Sequence, residues 1–484
     1  MQGMSDERAG IPETISREAA NSRISLSSRN HPFQRFAQAH FRITIMTKIT
    51  SLPADDNTCG WYHLSKGRRV QAAHQGITSV RWAIVGAGFT GVAVARQLAL
   101  NFPDDQIALI EAQEVGLGSS GRNAGFAIDL PHDIGADDYI GDIGIAKTTM
   151  KLNQFGQDSL KELVSQFNID CQMKHCGKYQ AAVESRGIAV LDAYRSGLDK
   201  LGQPYKMIEA EELPEHIGTR FYRKALFTPG TSLVQPSALV KGLADSLPSN
   251  VVLYENTPIT DVEYGEKVVL RHQNGSITAN KLILSNNAFG MHFGFLKGRM
   301  LPVFTYGSLT RPLSDEEQVA LGGKPFWGVI PADPFGTTVR RTPDNRILVR
   351  NSFSFNSDGR SNSKYAARFV KKHRESFARR FPMLPNVNLE YTWGGALALS
   401  RNHEGYFGQL APNVYGVLCC NGLGVTRGTA TGKLMADWLA GEENELIEFL
   451  LKSPGPCANP PEPLVSMGVN LNLMWGQYKA GVEA

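Results

Sequence analysis

Between residues 80 and 111 a strand, a glycine turn, a helix, a second strand and a terminal acid follow one another without a break. Val80-Arg81-Trp82-Ala83-Ile84-Val85 reads as a buried parallel strand. Gly86-Ala87-Gly88-Phe89-Thr90-Gly91 succeeds it and opens an apolar helix through Leu100. Gln106 to Ile110 is the next strand, and Glu111 stands at its end, twenty residues after Gly91. Gly86 permits the tight turn, Gly88 admits a pyrophosphate close to the backbone, and Gly91 lets helix and strand pack closely. The helix start, around Phe89 and Thr90, offers unpaired N–H groups and a positive dipole end to phosphates. Glu111 suits the two hydroxyls of an adenosine ribose. Strand, turn, helix and acid at these spacings predict a dinucleotide site.

Bulk properties narrow the rest. A chain of 484 residues has room for two or three domains. Its net charge of +4 gives no nucleic-acid footprint. No run approaches the ~20 apolar residues that an integral membrane segment needs. Cys59, Cys171, Cys176, Cys419, Cys420 and Cys457 show no paired C-x-x-C spacing, so no metal site is expected. Sparse cysteines point to a reducing, cytoplasmic compartment. Residues 1–46 are rich in Ser, Arg, Asn and Gln and lack a signal-peptide core, so they read as a disordered extension or an over-called start, with Met46 a plausible true start. Residues 47–78 read as an irregular arm, and 451–484 as a C-terminal tail.

Further along, helical spacing covers about 145–168 and 183–202, and Asn274-Gly275 marks a hairpin. Residues 300–355 read as mostly β, and about 364–381 as a basic amphipathic helix with a solvated charged face. Near the end, the strand Val414–Cys420 meets Asn421-Gly422-Leu423-Gly424-Val425, and a helix runs from Thr426 through Leu439. This second strand, glycine turn and helix supplies another positive helix end. Two such ends in one chain suit an extended FAD, one at the pyrophosphate and one at the flavin's pyrimidine edge.

The Gly86–Gly91 turn, Glu111, the loop Gly118-Ser119-Ser120-Gly121-Arg122-Asn123-Ala124-Gly125 and the Gly422–Val425 turn resemble the D-amino-acid-oxidase-like FAD oxidoreductases. Within that group the chain is most similar to the gamma-glutamylputrescine oxidoreductases, through the Ser-Gly-Arg-Asn loop, Arg341–Arg346, and Trp393 with Leu399-Ser400-Arg401. The resemblance implies a mixed α/β (α+β) fold: a doubly wound, Rossmann-type FAD-binding domain (79–165, 225–300 and 400–450) with an antiparallel-sheet substrate domain (166–224 and 301–399). It implies cofactor contacts from Gly86, Gly88, Phe89, Thr90, Gly91, Glu111, Ala112, Ser119, Ser120, Arg122, Asn123, Ala124 and Gly125. It adds Ile259, Asn287, Gly422, Leu423, Gly424, Val425 and Thr426.

Departures from the family pattern bear on the substrate. Amino-acid oxidases of this superfamily carry a carboxylate-binding arginine after a Trp-x-Gly element, where this chain has Leu397. That favours an amine or a longer amino compound over a small amino acid. Arg350 or Arg401 is the candidate for a distal carboxylate, an ordinary salt bridge being the alternative for each. Sarcosine-oxidase-like relatives place an oxygen-activating lysine where Leu348 falls here, which leaves the electron acceptor open between O₂ and a carrier. They attach FAD through a cysteine near Ala396, so FAD is expected to be non-covalent here.

The expected reaction is oxidation of a C–N bond by hydride transfer to flavin N5, giving an imine that hydrolyses. Positioning dominates such a step and no acid/base pair is obligatory. Catalytic residues stay unassigned. Tyr306, Arg350, Trp393 and Arg401 are the pocket candidates, with core packing the alternative for Tyr306 and Trp393. His132, His175 and His403 read as structural or exposed. The competing functions are a flavoprotein subunit serving assembly or electron transfer, with the basic helix as interface, an oxidase of a small amino acid, and a nicotinamide dehydrogenase.

Overall fold

Five parallel strands form the centre of the larger sheet, in the order Val414–Leu418, Gly275–Leu284, Gly76–Val85, Ile107–Ile110 and Val251–Tyr254. This is a computed structural model, and it describes residues 45–133 and 135–484. The expected N-terminal extension lies outside these residues apart from Ile45 and Met46, which begin a strand. Leu284, Val85, Ile110 and Tyr254 lie in register, so four strands end in one row and the segments after them share one edge. In a parallel sheet that edge is where ligands bind.

Alternation explains why the apolar runs form this sheet. Trp82, Ile84, Leu109 and Ile283 face one core, with the helices Phe89–Asn101 and Thr426–Leu439. Ala83, Val85, Ala108, Ile110, Leu282 and Leu284 face a second core on the opposite side. A strand covered on both faces needs apolar residues at every position. An antiparallel meander, Asp261–Tyr264, Val268–His272 and Gly275–Leu284, continues the sheet, with its hairpin at Gly275.

The eight-stranded sheet is antiparallel apart from one parallel pair, Lys178–Ala182 with Trp327–Pro331. Strands Leu389–Leu399, Leu301–Thr310 and Ile347–Phe355 lie at one end of it. Lys224–Thr228, which a boundary at residue 225 would cut, belongs to this sheet.

Three segments differ from the sequence expectation. The arm at 47–78 carries the strand Ile45–Lys48, paired with Asp261–Tyr264, and the helix Gly60–Leu64. Arg68 anchors it through buried Glu255 at 2.6 Å. The tail contains the helix Leu464–Lys479, and Glu483 near its end is buried. The basic helix, Ser363–Arg380, keeps the expected solvated charged face (Lys364, Arg368, Lys371, Arg374), and its inner side is Ala366, His373, Ser376 and Phe377 with one buried arginine, Arg380. Arg380 donates to the main-chain oxygen of Glu483 at 2.7 Å. A short helix, Asp315–Leu321 with a Ser314/Glu317 capping box, interrupts the β-rich stretch.

Buried histidines give the fold a pH dependence. His373 is fully buried, with Nδ1 2.6 Å from Ser308 Oγ, and burial pushes its pKa down to about 3. The unfolded chain takes up this proton near pH 6.5 and the folded chain does not. Stability is therefore full above about pH 6.5 and is lost as pH falls toward 3. His74 and His272, hydrogen-bonded at 2.8 Å, are also shifted down by burial and add to the same slope. The urea midpoint is expected to fall steadily below pH 6.5, and His373→Asn to flatten the decline.

Candidate active site

A cavity of about 1440 Å³ runs along the C-terminal edge of the parallel sheet and under the eight-stranded sheet. That exceeds the roughly 300–1,000 Å³ of a pocket for one drug-sized ligand. At one end lie Glu111, Ala112, Thr257 and Ile259. Glu111 accepts hydrogen bonds from the Ala87 N–H at 2.8 Å and the Gln113 N–H at 3.1 Å. Burial holds its carboxyl above the usual value, opposed by those two N–H groups.

The glycines at the first turn are fixed by contact distances. Gly86 has φ of 101°, a left-handed conformation that suits glycine. A Cβ on Gly91 would lie 1.8 Å from the Gly86 carbonyl oxygen. One on Gly88 would lie 2.6 Å from Ser120 Oγ, which itself accepts from the Phe89 N–H at 3.0 Å. Gly86, Gly88, Phe89 and Thr90 line the cavity, whereas Gly91 lies behind them in the helix–strand contact.

The second turn reaches the same space. Cys419, Asn421 and Gly422 have φ of 62°, 49° and 83°, turning the chain sharply after Leu418. Gly422, Leu423, Gly424 and Val425 line the cavity. Thr426 does not: it is buried, and its hydroxyl donates to the Ile128 carbonyl at 3.1 Å. A Cβ on Gly432 would lie 2.4 Å from the Thr90 carbonyl oxygen, so the two glycine-led helices cross in close contact. Neither has a side-chain N-cap or an acid in its first turn. Two positive helix ends facing one cavity fit a ligand with negative charge at two places.

The loop between them is held from behind. Ser119, Ser120, Arg122, Asn123, Ala124 and Gly125 all line the cavity. Asn123 Oδ1 accepts from the Gly125 N–H at 2.8 Å, and its amide donates to the Ser120 carbonyl at 2.7 Å. Arg122 spans the Leu117 and Gly394 carbonyls and pairs with Asp55 and Asp56. Indole N–H groups of Trp61 and Trp393 donate to the carbonyls of Asn123 and Arg122 at 2.9 and 3.0 Å. Arg340, fully buried, donates to the carbonyls of Ala124, Gly125 and Val234. Trp61 and Arg340 were not among the expected site residues, because neither lies in a glycine motif. Arg340→Met leaves three buried carbonyls without their charged donor. A loss of about 3–5 kcal/mol is expected, read as a lower melting temperature and weaker flavin retention.

The pocket candidates separate. Tyr306 is fully buried on the far face of its strand, its ring 4.4 Å from Phe369 and its hydroxyl 2.8 Å from Ser354. Its neighbours Thr305 and Gly307 are the ones that line the cavity. Trp393 touches the cavity, but its polar atom is committed to the loop. Arg401 lies at an exposed part of the cavity wall and donates to the Ala458 carbonyl at 3.1 Å. Asn287 and Leu348 also line it, and Leu397 does so within 3.8 Å of a Cβ on Gly422.

Arg350 lines the cavity with no acid paired to it among the described residues. Its one side-chain hydrogen bond is a long one, 3.4 Å, to Thr305 Oγ1, and burial pushes its pKa down to about 10. Arg427, in the first turn of the second glycine-led helix, also lines the cavity, with Nε buried and unpartnered. Both act on His132, which also lines the cavity, stacked on Tyr139 at 4.7 Å with Nδ1 buried and unpartnered. Burial, and then the charges of Lys178, Arg350 and Arg427, push His132 down to about 3, so it is neutral. The sequence signal for Arg427 was a lone charge beside the Gly422–Val425 turn.

A family model described as FAD dependent oxidoreductase matches residues 81–438. The chain is 26% identical over 379 residues to a probable oxidoreductase, OrdL, of Haemophilus influenzae, covering 76% of this chain and 84% of that one. It is 25% identical over 371 residues to the gamma-glutamylputrescine oxidoreductase of Escherichia coli, covering 76% and 85%. Among solved structures, glycine oxidase of Geobacillus kaustophilus superposes with a TM-score of 0.64 at 18% identity, covering 78% of this chain and 99% of that one. An L-amino acid deaminase of Proteus vulgaris gives 0.62 at 15% identity, covering 80% and 99%. The mixed α/β fold and the FAD dependence agree with the sequence reading, and the nicotinamide alternative is set aside.

Proposed function

We propose that this chain, which belongs to the FAD-dependent oxidoreductase family, oxidises a C–N bond of an amino compound that carries a carboxylate, a gamma-glutamyl amine being the favoured type. The carrying observation is the pair of cavity-lining arginines, Arg350 and Arg427, whose charges both act on neutral His132. Among the described residues neither guanidinium has an ion-pair partner, Glu404 and Asp133 acting on Arg427 from farther off, and two such cations attract a carboxylate and repel a free polyamine. Relatives that act on small amino acids are expected to place an arginine where Leu397 stands, so here the cation has moved to other elements.

The residues around the cavity fit FAD bound without a covalent link. Glu111 would hold the ribose, the Gly86–Phe89 turn and Ser120 the pyrophosphate, and the Gly422–Val425 turn the far, flavin end. Bound FAD supplies the acceptor for the hydride leaving the carbon beside nitrogen. Arg350 and Arg427 orient the substrate through its carboxylate and disfavour a second positive charge nearby, which keeps the reacting amine neutral. His132, held neutral by burial, adds no positive charge of its own to this wall. Leu348, Leu397 and Ala396 keep the wall apolar. The electron acceptor, O₂ or a carrier, is left open by Leu348. Six free thiols accord with a reducing, cytoplasmic setting.

Anaerobic flavin bleaching over gamma-glutamyl amines, free polyamines and small D-amino acids tests the reading. Gamma-glutamyl amines are expected to reduce the flavin fastest. Faster reduction by small D-amino acids, or by free polyamines, overturns it.

A further inference from the structure

The helix Leu464–Lys479 is apolar on two sides. Its inner side is tied to the cavity, where Val465, Val469 and Leu473 form part of the lining. Gly476 sits so close to Phe335 that a Cβ would come within 2.3 Å of the ring. The end of the chain locks this position. Glu483 accepts from the Val183 and Glu184 N–H groups at 2.6 and 2.7 Å, and Arg379 donates to the Ala484 carbonyl at 2.9 Å.

The outer side faces water. Met467, Leu471, Met474, Trp475 and Tyr478 are each 58–77% exposed. At 100° per residue these five fall within an arc of roughly 100°, a continuous stripe along the helix. No acid lies between Leu464 and Lys479, and Lys479 is the only charge. An apolar stripe of this length is uncommon on a surface that stays in water.

Cations gather at the aromatic end of the stripe. Arg368, Lys371, Lys372 and Arg379 line a shallow groove with Glu375, Gln477, Gly481 and Ala484. Lys372 donates to Gln477 Oε1 at 3.2 Å, which joins the basic helix to the apolar one. Trp475 and Tyr478 are the residue types that settle at the headgroup level of a bilayer, and a row of Lys and Arg beside them suits anionic headgroups. A second copy of the chain complements this surface less well, because the stripe has no acids to receive the partner's cations.

We infer that the outer face of Leu464–Lys479, with the cations of Ser363–Arg380 beside it, is a docking surface for an anionic lipid bilayer. No helix among the described residues is long and apolar enough to cross a membrane, so the contact is peripheral. Since the inner face of the same helix lines the cavity, docking brings the cavity wall to the membrane surface.

The test is flotation of the full-length flavoprotein with phosphatidylcholine vesicles, with and without phosphatidylglycerol. Binding is expected with phosphatidylglycerol, weakening as salt rises. Leu471→Asp with Met474→Asp should abolish it while flavin content and melting temperature stay unchanged. Lys371→Glu with Arg368→Glu should weaken it at least tenfold. Independently of those variants, brominated lipid should quench part of the tryptophan emission, and Trp475→Phe should remove that part. Absence of flotation by the wild-type protein overturns the inference. So does a dimer in solution that the Asp pair converts to monomer without any vesicle binding, which would assign the stripe to a second copy.

Discussion

Purified Gly88→Val protein is expected to be colourless. A Cβ at this position comes within 2.6 Å of Ser120 Oγ, and the valine methyl groups add bulk on the side open to the cavity. Ser120 must move, which costs the Phe89 N–H its acceptor, and the turn no longer admits a pyrophosphate against its backbone. A weakening of FAD binding by at least ~100-fold, about 3 kcal/mol, is expected. It is read as the ratio of flavin to protein absorbance after purification. Gly67→Ala, at a position with open space around it, should leave the protein yellow. Normal flavin content in the Gly88 variant would contradict the cofactor placement.

Arg350→Leu carries the second large effect, and its two readouts move in opposite directions. With a carboxylate-bearing substrate, kcat/KM should fall by about 10²–10³, roughly 3–4 kcal/mol, chiefly through KM, as one charge-assisted anchor is lost. Arg350→Lys should restore part of it, since charge returns without the planar fork. The melting temperature should not fall, because a half-buried cation with no acid beside it among the described residues is itself costly to the fold. A guanidinium that merely held the structure would behave the other way. Free amines, which have no carboxylate to lose, should show little change or a gain.

The strand–turn–helix–acid unit at 80–111 was legible because the tight turn at Gly86 and the close helix–strand contact at Gly91 each require glycine. Each requirement falls on a fixed residue type at a fixed spacing. The Gly422–Val425 turn was legible for the same reason, and the meeting of the two turns in one cavity followed from the parallel order of their strands. Tyr306 shows the limit. Sequence placed it on a strand beside the pocket, but the phase of that strand, with its irregularity between Thr305 and Tyr306, decides which face it takes. Trp61 and Arg340 were illegible for another reason. They act through carbonyls of a loop far away in sequence, and nothing local marks a donor for a distant backbone oxygen. The C-terminal helix escaped notice because it is apolar on two sides, so no amphipathic period stands out. Arg350 had been weighed against an ordinary salt bridge, and only the absence of an acid beside it among the described residues separates those roles.

The central claim is that this flavoprotein recognises a carboxylate on its amine substrate. Anaerobic mixing of the wild-type protein with a gamma-glutamyl amine and with the same compound amidated at its carboxyl isolates that group. Loss of the oxidised flavin band should be at least ~100-fold faster with the free carboxylate, and Arg350→Leu should erase the difference. Equal rates for the two compounds in the wild-type protein would contradict the account.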